Sequence, residues 1–184
     1  DRIIIATKTP STTVEGFWND LNTSLRLLKT DHVDILQFHN PDFVPKPGDG
    51  TGLYEAMLEA KAKGADQIFL QGGVNKDIPL SYYTDVLKML TQELGVKVRG
   101  FSPVELVRIA EFNGISLDEL LDIFKAAGLS SVPGAGAEIL SDRMRQILSP
   151  KKVPAQVWCD TLAACHKKGL PGSANIVFGS VETP

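Results

Sequence analysis

Short apolar runs separated by amphipathic stretches constrain this chain more than any other feature. The runs cover 2–7, 33–38, 67–71, 96–101, a brief 130–132, and 175–178. Several of them are continuously apolar, which marks strands covered on both faces, as in parallel sheets crossed by helices. The stretches between them carry helical periodicity. Thr12 or Thr13 caps a run in which Phe17, Leu21, Leu25 and Leu28 make one stripe. Thr51 opens a second with Leu53, Met57 and Ala60, stopped by Gly64. Pro79 starts a continuous helix over 80–94. Ser116 and Glu119 form a capping box ahead of Leu120, Ile123 and Phe124, and Pro154 opens a last helix that ends near Gly169.

This alternation predicts an α/β chain forming a partial TIM-like (β/α) barrel of about six parallel strands, as a single domain over 1–184. A closed eight-stranded barrel needs about 250 residues, against 184 here. A doubly wound open sheet is the alternative, since right-handed crossovers build both. A partial barrel exposes strand edges, so self-association or pairing with a complementing barrel fragment is expected.

With 43% apolar residues the chain can bury one sizeable core, and its net charge of −3 sets up no global attraction to nucleic acid or an anionic membrane. No apolar run is long enough for a membrane span, and no signal-peptide pattern is seen. Cys159 and Cys165 point in different directions on one helix, so reduced thiols in a cytoplasmic protein are expected.

Chemistry in such folds gathers where strands end. The first strand leads to Lys8 and the second, within HVDILQFHN, to His39. On neighbouring parallel strands these two would arrive side by side, a lysine to polarise an acid and a histidine to orient a carbonyl oxygen. Gln71, Gly72 and Gly73 follow the third strand, either as a plain glycine turn or as a nest for an anion. Ser102 and Glu105 follow the fourth, either as a capping box or with the carboxylate receiving a ligand. The loop with Pro133, Gly134, Gly136 and Glu138 precedes a helical run, so its amides are placed to receive an anion at a helix start. It lacks the spacing of an ATP or NAD loop. His32 and His166 read as structural or exposed, and Cys165-His166 lacks further metal ligands nearby.

Two resemblances run along the chain. Over 1–64, IIIATK, SLRLLKTDHVDILQFHN and GLYEAMLEAKAKG resemble an interior piece of the aldo/keto reductases. That resemblance implies that Lys8 and His39 match two members of the family's catalytic tetrad, whose aspartate and tyrosine would lie before Asp1; the nicotinamide-binding part is absent, so NADPH is not expected. Over 65–184, QIFLQGGVNKDIPLSYYTDVLKML, GFSPVEL, AAGLSSVPGAGAEILSDRMRQIL, ACHKKGL and NIVFGSVET resemble the radical SAM enzymes of the futalosine route to menaquinone and their deazaflavin-cofactor relatives. This implies that Gln71-Gly72-Gly73 receives the methionyl end of S-adenosylmethionine (SAM), and that Ser102, Glu105 and the 133–138 loop line the SAM and substrate cavity.

The family's C-x3-C-x2-C iron–sulfur motif has no counterpart, and two distant cysteines do not replace it. Together the two resemblances imply a recombined or designed (β/α) chimera that retains SAM or anion binding without robust parent activity. A radical SAM transferase or cyclase of the menaquinone route, and an NADPH-dependent reductase, are the alternatives.

Overall fold

The computed structural model describes residues 5–33, 35–39, 45–72 and 75–181. Along the chain these form β1 (Ala6–Thr9), α1 (Val14–Leu28), β2 (Ile35–His39), α2 (Leu53–Ala62), β3 (Gln67–Gln71) and α3 (Leu80–Lys88). Then come β4 (Lys97–Gly100), α4 (Pro103–Asn113), α5 (Leu117–Ala126), β5 (Leu129–Ser131), α6 (Asp142–Leu148) and α7 (Ala155–Lys167).

The five strands pair in chain order, β1-β2-β3-β4-β5, and every pairing is parallel. A doubly wound sheet reverses its direction of growth at a switch point. None exists here. Right-handed crossovers that always step the same way leave their helices on one face of the sheet. The core agrees: Ile68, Leu70, Val98 and Leu129 from three strands pack with Leu87, Leu106, Leu121 and Phe124 from the helices. Among the described residues the sheet stays open, with β1 and β5 at its edges.

The expected sixth strand does not form. Ile176 makes a single parallel pairing with Glu138, and Val177 N–H donates to the Glu138 carbonyl at 3.1 Å. The neighbouring segment is a loop, which offers no ladder to extend, so Ile176 and Phe178 stay 77% and 83% exposed.

Local chemistry explains most element ends. The Thr13 hydroxyl accepts from Gly16 N–H at 3.2 Å and starts α1. Hydroxyls of Thr9 and Ser11 donate to the Asp20 carboxylate at 2.6 and 2.7 Å, tying α1 to the end of β1. Those bonds, Thr9 first, hold the Asp20 pKa below the ordinary carboxylate value. Helix α2 has Gly52, not Thr51, at its N-cap; the Thr51 hydroxyl accepts from Leu53 N–H at 3.2 Å. The predicted continuous helix over 80–94 is interrupted: after α3 the chain widens into a π-helical turn, Met89–Glu93. There the Thr91 hydroxyl bonds to the carbonyls of Leu87 and, across to the end of α5, Ala127. Such inserted turns accommodate a residue that a regular helix would misplace.

The packing does not divide near residue 64. Tyr54 and Met57 of α2 belong to the large core, while Leu53 and Ala56 on the same helix pack with Phe17 of α1. Helix α2 therefore joins the first (β/α) unit to the rest.

At the centre of the large core, Phe101 lies 4.7 Å from the Phe124 ring and 5.7 Å from Tyr83, centroid to centroid. Phe101 holds a left-handed backbone conformation, φ 60°, which costs a non-glycine residue about 1–3 kcal/mol and persists only where packing enforces it. Phe124 is fully buried. Phe124→Ala should therefore lower the unfolding free energy by about 3–5 kcal/mol in urea titrations; a loss under about 1 kcal/mol would show that the three rings do not organise the core.

Candidate cofactor and substrate site

The carboxyl ends of β3 and β4 are joined through one carboxylate. Glu105 Oε1 accepts from Gly72 N–H at 3.0 Å, and Oε2 accepts from Ser102 N–H at 2.8 Å and the Ser102 hydroxyl at 2.6 Å. Ser102 in turn accepts from Glu105 N–H, completing the capping box of α4 behind Pro103. Glu105 is only 6% exposed. Its burial raises the carboxyl pKa above the ordinary value, against the lowering effect of the bonds from Ser102 and Gly72. Both carboxylate oxygens of Glu105 are thus occupied by backbone and serine donors, in the geometry of the capping box. A Cβ built on Gly72 would meet nothing within 4 Å, so open space adjoins the strand end at this glycine. Gln71 closes β3 and is half-buried; Gly73 lies outside the described residues.

The expected Lys8 and His39 pairing is not the one observed. Strands β1 and β2 are parallel neighbours, but Lys8 stands opposite Gln37. His39 stands opposite Gln71. A two-residue offset preserves the face of the sheet yet separates the backbones by about 6–7 Å along the strand. Lys8 is exposed, and the side chain of His39 lies outside what is described.

The 133–138 loop is tied down by bonds from the rest of the chain. The Trp158 indole N–H donates to the Ala135 carbonyl at 3.2 Å, and the Gly134 amide donates to the Ser173 hydroxyl at 3.1 Å. Pro133 is buried beside Val132, whose N–H donates to the Pro171 carbonyl. A Cβ on Gly134 would fall 1.7 Å from the Ser173 carbonyl oxygen, so only glycine allows this approach.

Arg145 completes the lock from α6. Its guanidinium, 5% exposed, donates to the carbonyls of Gly136, Ala137 and, through two nitrogens, Val153 at 2.6–2.9 Å. Glu138, at φ 40°, pairs with Lys152 at 2.5 Å. The loop does not open directly into a helix, since α6 begins only at Asp142; the carbonyls of Ala135, Gly136 and Ala137 and the Gly134 amide are engaged in internal bonds.

Sequence reasoning missed Arg99, Arg145 and Ser173. Arg99, on β4, lies three residues before Ser102, and its Nη2 donates to Ser173 Oγ at 2.6 Å while the guanidinium carbon sits 5.8 Å from the Phe69 ring centroid. The signal for Arg99 was present: a second cation, after Lys97, inside a short strand.

Other expectations fall away from this region. His32 is exposed and contacts Asp31 at 2.9 Å; His166 is exposed on α7. Cys159 and Cys165 are both free, one exposed and one buried, and burial pushes the Cys165 thiol up to about 11. Among the described residues no group of three or more His, Cys, Asp or Glu side chains could hold a metal ion, and no helix is long and apolar enough to cross a membrane. A cavity of about 860 Å³ lies at the opposite, amino ends of the strands, lined by Trp18, Leu21, Leu25, Leu36, Lys63 and Lys97 among others.

These features define a parallel α/β protein with helix-capped, glycine-bearing strand ends on one rim. Its sequence relatives are more particular. Over 133 residues, 72% of the chain, it is 34% identical to the 5-amino-6-(D-ribitylamino)uracil--L-tyrosine 4-hydroxyphenyl transferase 1 of Methanosarcina barkeri, of which it covers 35%. Over 126 residues, 68% of the chain, it is 39% identical to transferase 2 of Methanosarcina mazei, covering 33%. Over 127 residues it is 35% identical to the FO synthase of Nocardia farcinica, covering 68% of the chain and 15% of that protein. The chain spans about a third of the length of these transferases. No protein-family model matches.

The similarity gives no support to the aldo/keto reductase resemblance of 1–64 or to a recombined origin. A match covering 72% of the chain is too long to fit after residue 64, so it takes in α2 as well.

Two outcomes follow from this geometry. A carboxyl whose folded pKa lies above its unfolded value binds extra protons in the native state. Its contribution is therefore fully present below about 4.5 and is lost as pH rises through the raised folded value. The stability advantage of the wild type over Glu105→Gln should accordingly narrow as pH rises above about 4.5, measured by urea unfolding across a pH series; a constant gap would refute the shift. Arg145→Met should leave three carbonyls without their charged donor and cost roughly 3 kcal/mol in the same assay, with Arg145→Lys recovering only part because its point charge cannot fork.

Proposed function

We propose that this chain is the SAM-binding arc of a radical SAM-type (β/α) barrel, of the class that transfers a tyrosine-derived 4-hydroxyphenyl group to a ribitylaminouracil in deazaflavin synthesis. The observation that carries this reading is the similarity to the hydroxyphenyl transferases and FO synthase over more than two thirds of the chain. The sheet supports it, because singly wound parallel strands with helices on one face are the arrangement an arc of a barrel would have. Its open edges are where a second copy or a complementing fragment would continue the sheet.

The residues fit SAM in one respect and fail the cluster in another. Gly72, held by Glu105 and bordered by open space, is a strand-end position at which the methionyl end of SAM would lie against backbone. Bound SAM would supply an adenosyl group to the reaction, with methionine as the leaving group, while Glu105, Ser102 and Gly72 fix the rim against which it rests.

A three-thiolate iron–sulfur site does not fit these 184 residues. Only two cysteines are present, and the raised Cys165 pKa keeps that thiol protonated. Its ligands would come from outside this sequence, and no redox step is assigned to the chain. The menaquinone branch and the reductase alternative have no support in the similarity.

Isothermal titration of the 184-residue chain with SAM tests the reading. Saturable binding is expected, weakened about tenfold or more by Gly72→Val, whose side chain would fill the open space. Absence of binding by a folded wild-type chain would overturn it.

A further inference from the structure

The register of the sheet aligns one residue from each strand across its middle: Lys8, Gln37, Phe69, Arg99 and Ser131. Paired residues in a parallel sheet share a face, and neighbours along a strand alternate. Ile68, Leu70 and Val98 enter the helix-side core, so Phe69 and Arg99 face the other way. At β5 the pairing shifts between Val98 and Arg99, and one extra residue of β5 is passed over. Leu129 and Val132 are both in the core. The shift therefore turns Ser131 toward the side of Arg99, the re-aiming that a bulge produces near functional sites.

We propose that Arg99, with Ser131 and Ser173, forms a subsite on this inner face for the carboxylate of an aromatic amino-acid substrate. Donors outnumber acceptors here. Arg99 carries five N–H donors; among the described residues Ser173 is the side chain that receives one, and no carboxylate stands within 4 Å of the guanidinium. Ser173 Oγ accepts from both Arg99 and Gly134, leaving its own proton without a described acceptor. Ser131 Oγ is buried, and among the described residues it has no hydrogen-bond partner. A two-oxygen anion supplies the missing acceptors in the planar geometry a guanidinium prefers.

Charge selects a carboxylate over a phosphate dianion. Lys97, two residues back on β4, is engaged with Asp66 at 3.7 Å. Lys8 is three strands away, about 14 Å at the usual strand spacing. One uncompensated positive charge thus faces the subsite. The Phe69 ring backs the guanidinium and offers an apolar surface beside it. The row lies three residues before both Gly72 and Ser102, one layer inside the rim where the SAM end is placed. The inference rests on the transferase reading, in which tyrosine is a substrate of the relatives by name.

The test is calorimetric titration of the 184-residue chain with L-tyrosine, with tyramine, which lacks only the carboxylate, and with SAM. Wild type should bind tyrosine about tenfold or more tightly than tyramine. Arg99→Gln should abolish that preference while leaving SAM affinity within about twofold, and Arg99→Lys should restore part of it; circular dichroism confirms folding of each variant. Equal affinity for tyrosine and tyramine, or no tyrosine binding, overturns the subsite. A loss of SAM binding in Arg99→Gln with tyrosine unaffected also overturns it, by assigning the guanidinium to the SAM carboxylate. SAM binding by wild type reports separately on the transferase reading.

Discussion

The rim of this protein depends on a single buried carboxylate. Glu105 collects donors from Gly72 at the end of β3 and from Ser102 at the start of α4, joining two adjacent (β/α) units where their strands stop. A carboxylate this buried is costly unless its lone pairs are filled. Three donors occupy three of the four. The same bonds fix the path of the chain past the left-handed Phe101, whose ring is gripped by Tyr83 and Phe124. Core packing and rim geometry are thereby coupled: aromatic burial holds the turn, and the turn holds the clamp that presents Gly72.

A second lock operates at the far edge. The loop after β5 is held by Arg145, Trp158 and Ser173, which engage three of its carbonyls and the Gly134 amide from three other segments. The consequence reaches the inner face, because Ser173 is also the partner of Arg99. The carboxyl-terminal segment therefore shapes the subsite beside β4 without contributing a strand. Meanwhile α2 divides its apolar residues between the α1 contact and the main core. This helix, lying within the transferase match, ties the first (β/α) unit to the rest of the core.

Local signals were legible wherever one residue's chemistry settles the matter. The capping box at Ser102 and Glu105, the cap at Thr13 and the proline starts at Pro79 and Pro154 all stand where spacing placed them. Signals that depend on neighbours were not. The apolar run at 175–178 reads as a strand in isolation, yet a strand needs a ladder beside it. Lys8 and His39 look like partners by their distance from strand ends, whereas register is decided by which residues hydrogen-bond across the pair.

By itself the sequence determined the alternation of parallel strands with helices, the apolar faces those helices bury, the capped strand-to-helix turns and the shortage of thiolates. These follow from side-chain periodicity and composition, which need no knowledge of distant contacts. Only the tertiary structure decided that the strands join in chain order, that Lys8 stands opposite Gln37 in the register, and that Glu105 accepts from Gly72. It alone brought Arg99, Ser131 and Ser173 to one face. The physical reason is that register and hydrogen-bond satisfaction are properties of pairs far apart in the chain: Arg99 and Ser173 are 74 residues apart, yet their bond is 2.6 Å long.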